Sequence, residues 1–141
     1  MKILITGCAG FIGFSIASQL LKKKAIVYGI DNFDNYYSVK LKRKRVDELK
    51  KNKNFFFKKI DITKEKNLKK YISKFEFDYV FHFAAQPGVR YSLKNPKKYY
   101  LTNVLGYQNL ISSLNKKKIK KIIYASSSSV YGDQKIFPTT E

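Results

Sequence analysis

Three glycines recur at every third position in the stretch TGCAGFIG, at Gly7, Gly10 and Gly13. They follow the apolar run KILIT and open a segment with helical periodicity, the context a dinucleotide-binding turn requires. Gly7 permits the tight turn, Gly10 lets a pyrophosphate approach the backbone, and Gly13 lets the helix pack closely on the strand. The N–H groups and positive dipole of a helix start favour phosphates. Cys8 reads as a small filler of that turn. Asp31, with Asn32 beside it, lies 24 residues beyond Gly7 at the end of a second apolar run. A carboxylate there accepts hydrogen bonds from an adenosine ribose and repels a 2′-phosphate, which favours NAD over NADP. Asp61 and Ile62 follow a third run, where they either flank an adenine or, with Thr63, form the turn before a helix. Four consecutive serines, Ser126 to Ser129, stand between the run IIYA and Val130-Tyr131-Gly132. They are either a polar loop or the hydroxyl part of an active site.

The elements that must hold these residues alternate. KILIT (2–6), AIVYGI (25–30), FFFKKI (55–60), YVFHF (79–83) and KIIYAS (121–126) read as buried strands. Between them, Ile12, Ile16 and Leu20 mark a helix over 11–23, and Val39, Val46 and Leu49 mark one over 38–51. Leu68, Tyr71, Ile72 and Phe75 mark a helix over 64–75. Pro96 suits a first helical turn, and Tyr100, Val104, Tyr107, Ile111 and Leu114 carry one long stripe after it. Continuously apolar strands separated by helices predict a parallel α/β sheet covered on both faces and doubly wound.

Composition narrows the function classes. With 141 residues and 44% hydrophobic content the chain suits one globular domain. The single cysteine allows no internal disulfide. The glycine turn interrupts the N-terminal apolar run, so neither a signal peptide nor a membrane span is expected, and a cytoplasmic location follows as the default. The net charge of +19 comes from 29 Lys+Arg against 10 Asp+Glu. Basic runs such as KLKRKR lie in or beside amphipathic segments, which reads as a lysine-heavy solvated surface rather than a nucleic-acid site. No groove-reading motif is found, and no metal site is expected.

MKILITGCAGFIG, DNFDNYYSVKLKRKRVDEL, HFAAQPGVRYSL and YASSSSVYG together resemble the extended short-chain dehydrogenase/reductase family. Within it they look most like the UDP-glucuronate 4-epimerase group of nucleotide-sugar epimerases. The resemblance implies a Rossmann-like fold with NAD as cofactor. It sets Phe11 and Ile12 along the pyrophosphate, Asp31 on the ribose, and Asp61 and Ile62 by the adenine. Ala84, Ala85 and Gln86 form the turn beside the cofactor, braced by Asn103 from the long helix. His82 is read as a packing or orienting residue. Arg90 meets a substrate carboxylate or phosphate, or is a surface arginine. In the family register the catalytic Ser/Thr falls on Ser127, with Ser126 a cofactor neighbour and Ser128 a substrate-side candidate. The dehydratase branch usually carries Asp-Glu after that Ser/Thr. Ser128-Ser129 stand there instead, which argues for epimerisation over 4,6-dehydration.

The implied reaction oxidises and re-reduces C4 of a UDP-sugar, UDP-glucuronate above others, using a tyrosine base whose pKa a lysine four residues later lowers. The Tyr-x-x-x-Lys spacing at Tyr36–Lys40 lies at the adenosine end and is set aside. The family pair falls beyond Ser127 by more residues than follow it. Residues 1–141 are therefore expected to be the N-terminal part of an NAD-binding domain, without turnover alone, with later strands and the substrate domain missing and the fifth strand a bare edge. A homodimer is the expectation for the full-length form. The rival readings are a 4,6-dehydratase, a non-catalytic NAD-binding module and a basic nucleic-acid binder.

Overall fold

Alternate residues of the first strand point to opposite faces, and both faces are apolar. That pattern calls for a helical layer on each side. A computed structural model describes residues 1–114, 117–135 and 137–138 and meets this demand. The strands are β1 (Lys2–Thr6), β2 (Ile26–Asp31), β3 (Phe55–Lys59), β4 (Tyr79–His82) and β5 (Lys121–Tyr124). They form one parallel sheet in the order β3-β2-β1-β4-β5. The helices are α1 (Phe11–Lys22), α2 (Val39–Lys50), α3 (Glu65–Ile72), α4 (Val89–Lys94), α5 (Pro96–Tyr99) and α6 (Gly106–Leu114). On one face Ile3, Ile5 and Val27 pack with Ala17 and Leu21 of α1 and Val46 and Leu49 of α2. On the other, Leu4, Ile30 and Val80 pack with Leu68 and Ile72 of α3 and Leu110 and Leu114 of α6. Each fully buried Val, Leu or Ile among them stabilises the fold by roughly 1.5–3 kcal/mol.

Three expectations need correction. In α1 the buried stripe is Gly13, Ala17 and Leu21. Ile16 and Leu20 only flank it, and Ile12 is 51% exposed. Small residues take the centre because the helix lies close on the turn that starts it. The segment after Pro96 is not one continuous α-helix. A π-helical stretch, Tyr100–Leu105, separates α5 from α6. Its wider turn breaks the expected stripe. Tyr100, Val104 and Ile111 are exposed, while Gly106, Asn109, Leu110, Ser113 and Leu114 face the core. Helix α4 was not expected at all, and it is too short for its periodicity to register. At the other edge, among the described residues β5 pairs only with β4, and Ile123 and Tyr124 are exposed. This is the expected bare edge.

Candidate functional site

A cavity of about 1130 Å³ runs along the C-terminal ends of the strands. Its floor is the turn between β1 and α1. Gly7 has φ +71°, and a Cβ on it would lie 2.6 Å from Ala84 N. A Cβ on Gly13 would lie 2.2 Å from Gly7 O, so only glycine lets α1 sit this low. Gly10 is the N-cap of α1, without side-chain capping, and the first turn carries no acidic residue. The positive helix end therefore faces the cavity with no cap or acid from its own first turn.

Asp31 is buried at the end of β2. Its Oδ2 accepts from Ala9 N at 3.1 Å and its Oδ1 from Phe33 N at 2.8 Å. Each oxygen keeps a further lone pair for a ligand. Asn32 also lines the cavity, and its Nδ2 donates to Asp61 Oδ2 at 3.4 Å. Asp61 itself is not on the wall. Its Oδ1 accepts from Thr63 N at 2.9 Å and Thr63 Oγ1 at 2.8 Å. The Asp61 carboxylate thus joins its own turn at Thr63 to the loop after β2 at Asn32. Ile62 does line the cavity, and its carbonyl accepts from Asn109 Nδ2 at 3.0 Å.

Ala84, Ala85 and Gln86 form the facing wall. Asn103, in the π-helical stretch, braces them reciprocally. Its Oδ1 accepts from Gln86 N at 2.8 Å and its Nδ2 donates to Gln86 O at 3.1 Å. His82 is held from behind. Thr6 Oγ1 accepts from Ala84 N at 3.2 Å and lies 2.7 Å from His82 Nδ1. Thr6 is fully buried, and its hydroxyl proton has no other acceptor among the described residues. It therefore donates to Nδ1, and His82 carries its proton on Nε2. Burial lowers the His82 pKa to about 4, so the ring stays neutral. Burial also raises the Cys8 thiol well above its ordinary value, consistent with a filler rather than a nucleophile.

Phe11, Ile12, Ser126 and Ser127 line the cavity, whereas Ser128 and Arg90 do not. Ser127 caps the short 3₁₀ turn Ser128–Tyr131, accepting from Ser129 N at 3.3 Å. That turn carries Ser128 away from the opening. Arg90, in the first turn of α4, is exposed to solvent. Tyr36 packs edge-on to Tyr91 at 5.1 Å, and Lys40 is not on the cavity wall. Their spacing makes no catalytic pair. A second Tyr-x-x-x-Lys spacing, Tyr131–Lys135, escaped the sequence reading. Both residues are exposed and outside the cavity.

Sequence reasoning also missed Tyr37, Lys42 and Arg45, which line the cavity. Their signal was present: Lys42 shares the buried face of α2 with Val46 and Leu49.

A sheet ordered β3-β2-β1-β4-β5, with a glycine turn after its central strand and an acid ending the next, defines a doubly wound dinucleotide-binding architecture. The family model described as GDP-mannose 4,6 dehydratase matches residues 4–141. The chain belongs to the epimerase/dehydratase family of extended short-chain dehydrogenases/reductases. A UDP-glucuronate 4-epimerase of Thermodesulfobacterium geofontis is 44% identical over 93% of this chain and 41% of its own length. The UDP-glucuronic acid 4-epimerase of Bacillus cereus, solved in complex with UDP-glucuronic acid and NAD, superposes with a TM-score of 0.86. It is 39% identical over 95% of this chain and 42% of its own. The UDP-glucose 4-epimerase of Bifidobacterium longum, solved with NAD+ and UDP, gives a TM-score of 0.85. It is 33% identical over all of this chain and 41% of its own. The chain thus spans about two fifths of the length of these relatives.

Proposed function

We propose that the chain binds NAD and forms the cofactor-binding part of a UDP-sugar 4-epimerase, with UDP-glucuronate as the favoured sugar nucleotide. The observation that carries this reading is the cavity. It joins an uncapped helix N-terminus, a buried ribose acid and a serine-lined end, in a chain 39% identical to a UDP-glucuronic acid 4-epimerase. The turn at Gly10, Phe11 and Ile12 receives the pyrophosphate, and Asp31 and Asn32 receive the adenosine ribose. Ile62 lies by the adenine, and Ala84 to Gln86, held by Asn103, form the wall beside the cofactor with Ser126. Ser127 presents its hydroxyl to the C4 oxygen of the sugar. Bound NAD supplies reversible hydride transfer at C4.

Among the described residues no tyrosine–lysine pair converges on Ser127, so residues 1–141 alone bind NAD without turning over the sugar. Calorimetric titration with NAD, followed by an epimerisation assay on UDP-glucuronate, tests both parts. A folded chain that takes no NAD overturns the cofactor reading. Measurable epimerase turnover overturns the claim of inactivity. The matched family description favours a second reading, sugar 4,6-dehydration. The Ser128-Ser129 pair argues against it, and binding of GDP-mannose in preference to UDP-glucuronate would reverse that choice.

A further inference from the structure

Among the described residues, neither cation lining the cavity, Lys42 or Arg45, is paired with a carboxylate. Arg45 projects from α2 at the turn of Lys42, Val46 and Leu49, all three buried. Its Nη1 donates to Ala9 O at 3.2 Å and to Tyr37 Oη at 3.1 Å. The Phe11, Phe14 and Tyr37 rings stand about its guanidinium at 6.0, 5.9 and 6.0 Å. Neither Nε nor Nη2 has a protein acceptor among the described residues, and no carboxylate oxygen there lies within 4.0 Å of the group. The neighbouring charges are already engaged. Lys42 Nζ donates to Asp34 O at 2.8 Å, and Asp34 is paired with Lys98 at 2.9 Å.

A half-buried guanidinium with free donors in a cavity is stabilised by an acceptor it does not find in the protein. Ala9 tells where that acceptor sits. Its N–H goes to the Asp31 carboxylate and its carbonyl to Arg45, so one residue of the glycine turn joins the two groups. Arg45 therefore flanks the same end of the cavity as the ribose acid. We infer that Arg45 is a binding residue for the adenosine half of the dinucleotide, offering its free N–H edge to a phosphate or ribose oxygen. The inference rests on the NAD reading above. The planar fork suits such oxygens better than a lysine would.

The test compares the chain with Arg45→Gln by calorimetry, using NAD, ADP-ribose, AMP, adenosine and nicotinamide mononucleotide. Arg45→Gln is expected to weaken NAD and ADP-ribose by about tenfold or more, the loss typical of a charge-assisted hydrogen bond. Nicotinamide mononucleotide, lacking the adenosine half, keeps its affinity. A loss for AMP with adenosine spared assigns the contact to phosphate; a loss for both assigns it to the nucleoside. Affinities for NAD and ADP-ribose that stay within about twofold overturn the inference. So does a parallel loss for nicotinamide mononucleotide, which would mean Arg45 only shapes the glycine turn. If Arg45→Gln melts early, Arg45→Lys keeps the charge without the fork, and a several-fold loss for ADP-ribose is still expected. Binding that ignores Arg45 defeats this inference alone. A folded, unaltered chain that binds no adenosine ligand defeats the cofactor reading with it.

Discussion

His82 is the chain's one histidine, which makes its protonation state directly measurable. Thr6 fixes its tautomer by donating to Nδ1, and burial lowers its pKa from 6.5 to about 4. The sign follows from linkage. The unfolded chain takes up a proton near the ordinary value and the folded chain only near the lowered one. This contribution to stability is therefore complete above pH 6.5 and is lost as pH falls to about 4. The loss amounts to up to about 3 kcal/mol, from the difference between the two pKa values. Urea melts from pH 7 to pH 4 measure it, and nitrogen NMR reports the Nε2–H form over the same range. A histidine that charges near its ordinary value in the folded chain contradicts the assignment. In the sequence HFAA showed a histidine at a strand end. The hydroxyl that sets its tautomer is 76 residues away, on a neighbouring strand.

Between elements, the notable contact joins two loops over a third. β2 and β4 flank β1, so the loops that follow them can meet above the glycine turn. They do so through Asp34 and Lys98 at 2.9 Å and through Tyr36 against Tyr91. A Cβ on Gly88 would lie 2.3 Å from the Tyr36 hydroxyl, and Tyr99 Oη donates to Gly88 O at 2.5 Å. Burial pushes the Asp34 pKa up, but the hydrogen bonds from Lys98 and Tyr36 N–H, with the Lys98 and Lys42 charges, hold it below its ordinary value. Asp34, Tyr36, Gly88 and Tyr99 all line the cavity, so on the proposed NAD reading the bridge stands over the cofactor. Lys98→Met is expected to speed NAD release a few-fold, the worth of a partly exposed ion pair. Stopped-flow displacement checks it, and an unchanged off-rate would show that the bridge does not limit exit. Pro96 marked the start of α5 correctly, yet α4 and the π-helical stretch had no periodic signal strong enough to read.

Across the molecule the charge is the dominant property. A net +19 on 141 residues opposes the compact state by self-repulsion. Screening relieves it, so the melting temperature is expected to rise as salt increases from about 0.02 to 0.2 M, where the Debye length shortens from roughly 20 Å to below 10 Å. A fall over that range would mean that the few surface pairs outweigh the repulsion. Salt-sensitive binding to DNA at physiological ionic strength would revive the nucleic-acid reading. Among the described residues no helix is long and apolar enough to cross a membrane.

The sequence by itself determined the alternation of strand and helix, the glycine turn, the acid that ends the second strand and the apolar strands between two helical layers. Each of these is written in local periodicity or in spacing along a few residues. Only the tertiary structure decided which loops face one another: Asn103 on Gln86, Asn109 on Ile62, Asp34 on Lys98 and Arg45 on Ala9. The partners in these pairs lie between 17 and 64 residues apart. They meet because the sheet places β1 between β2 and β4, and polar contacts between strand ends leave no periodic trace in the chain. The same holds for α6, where Gly106 and Asn109 join Leu110 and Leu114 on the buried face because Gly106 packs on Ile62 and Asn109 donates to the Ile62 carbonyl.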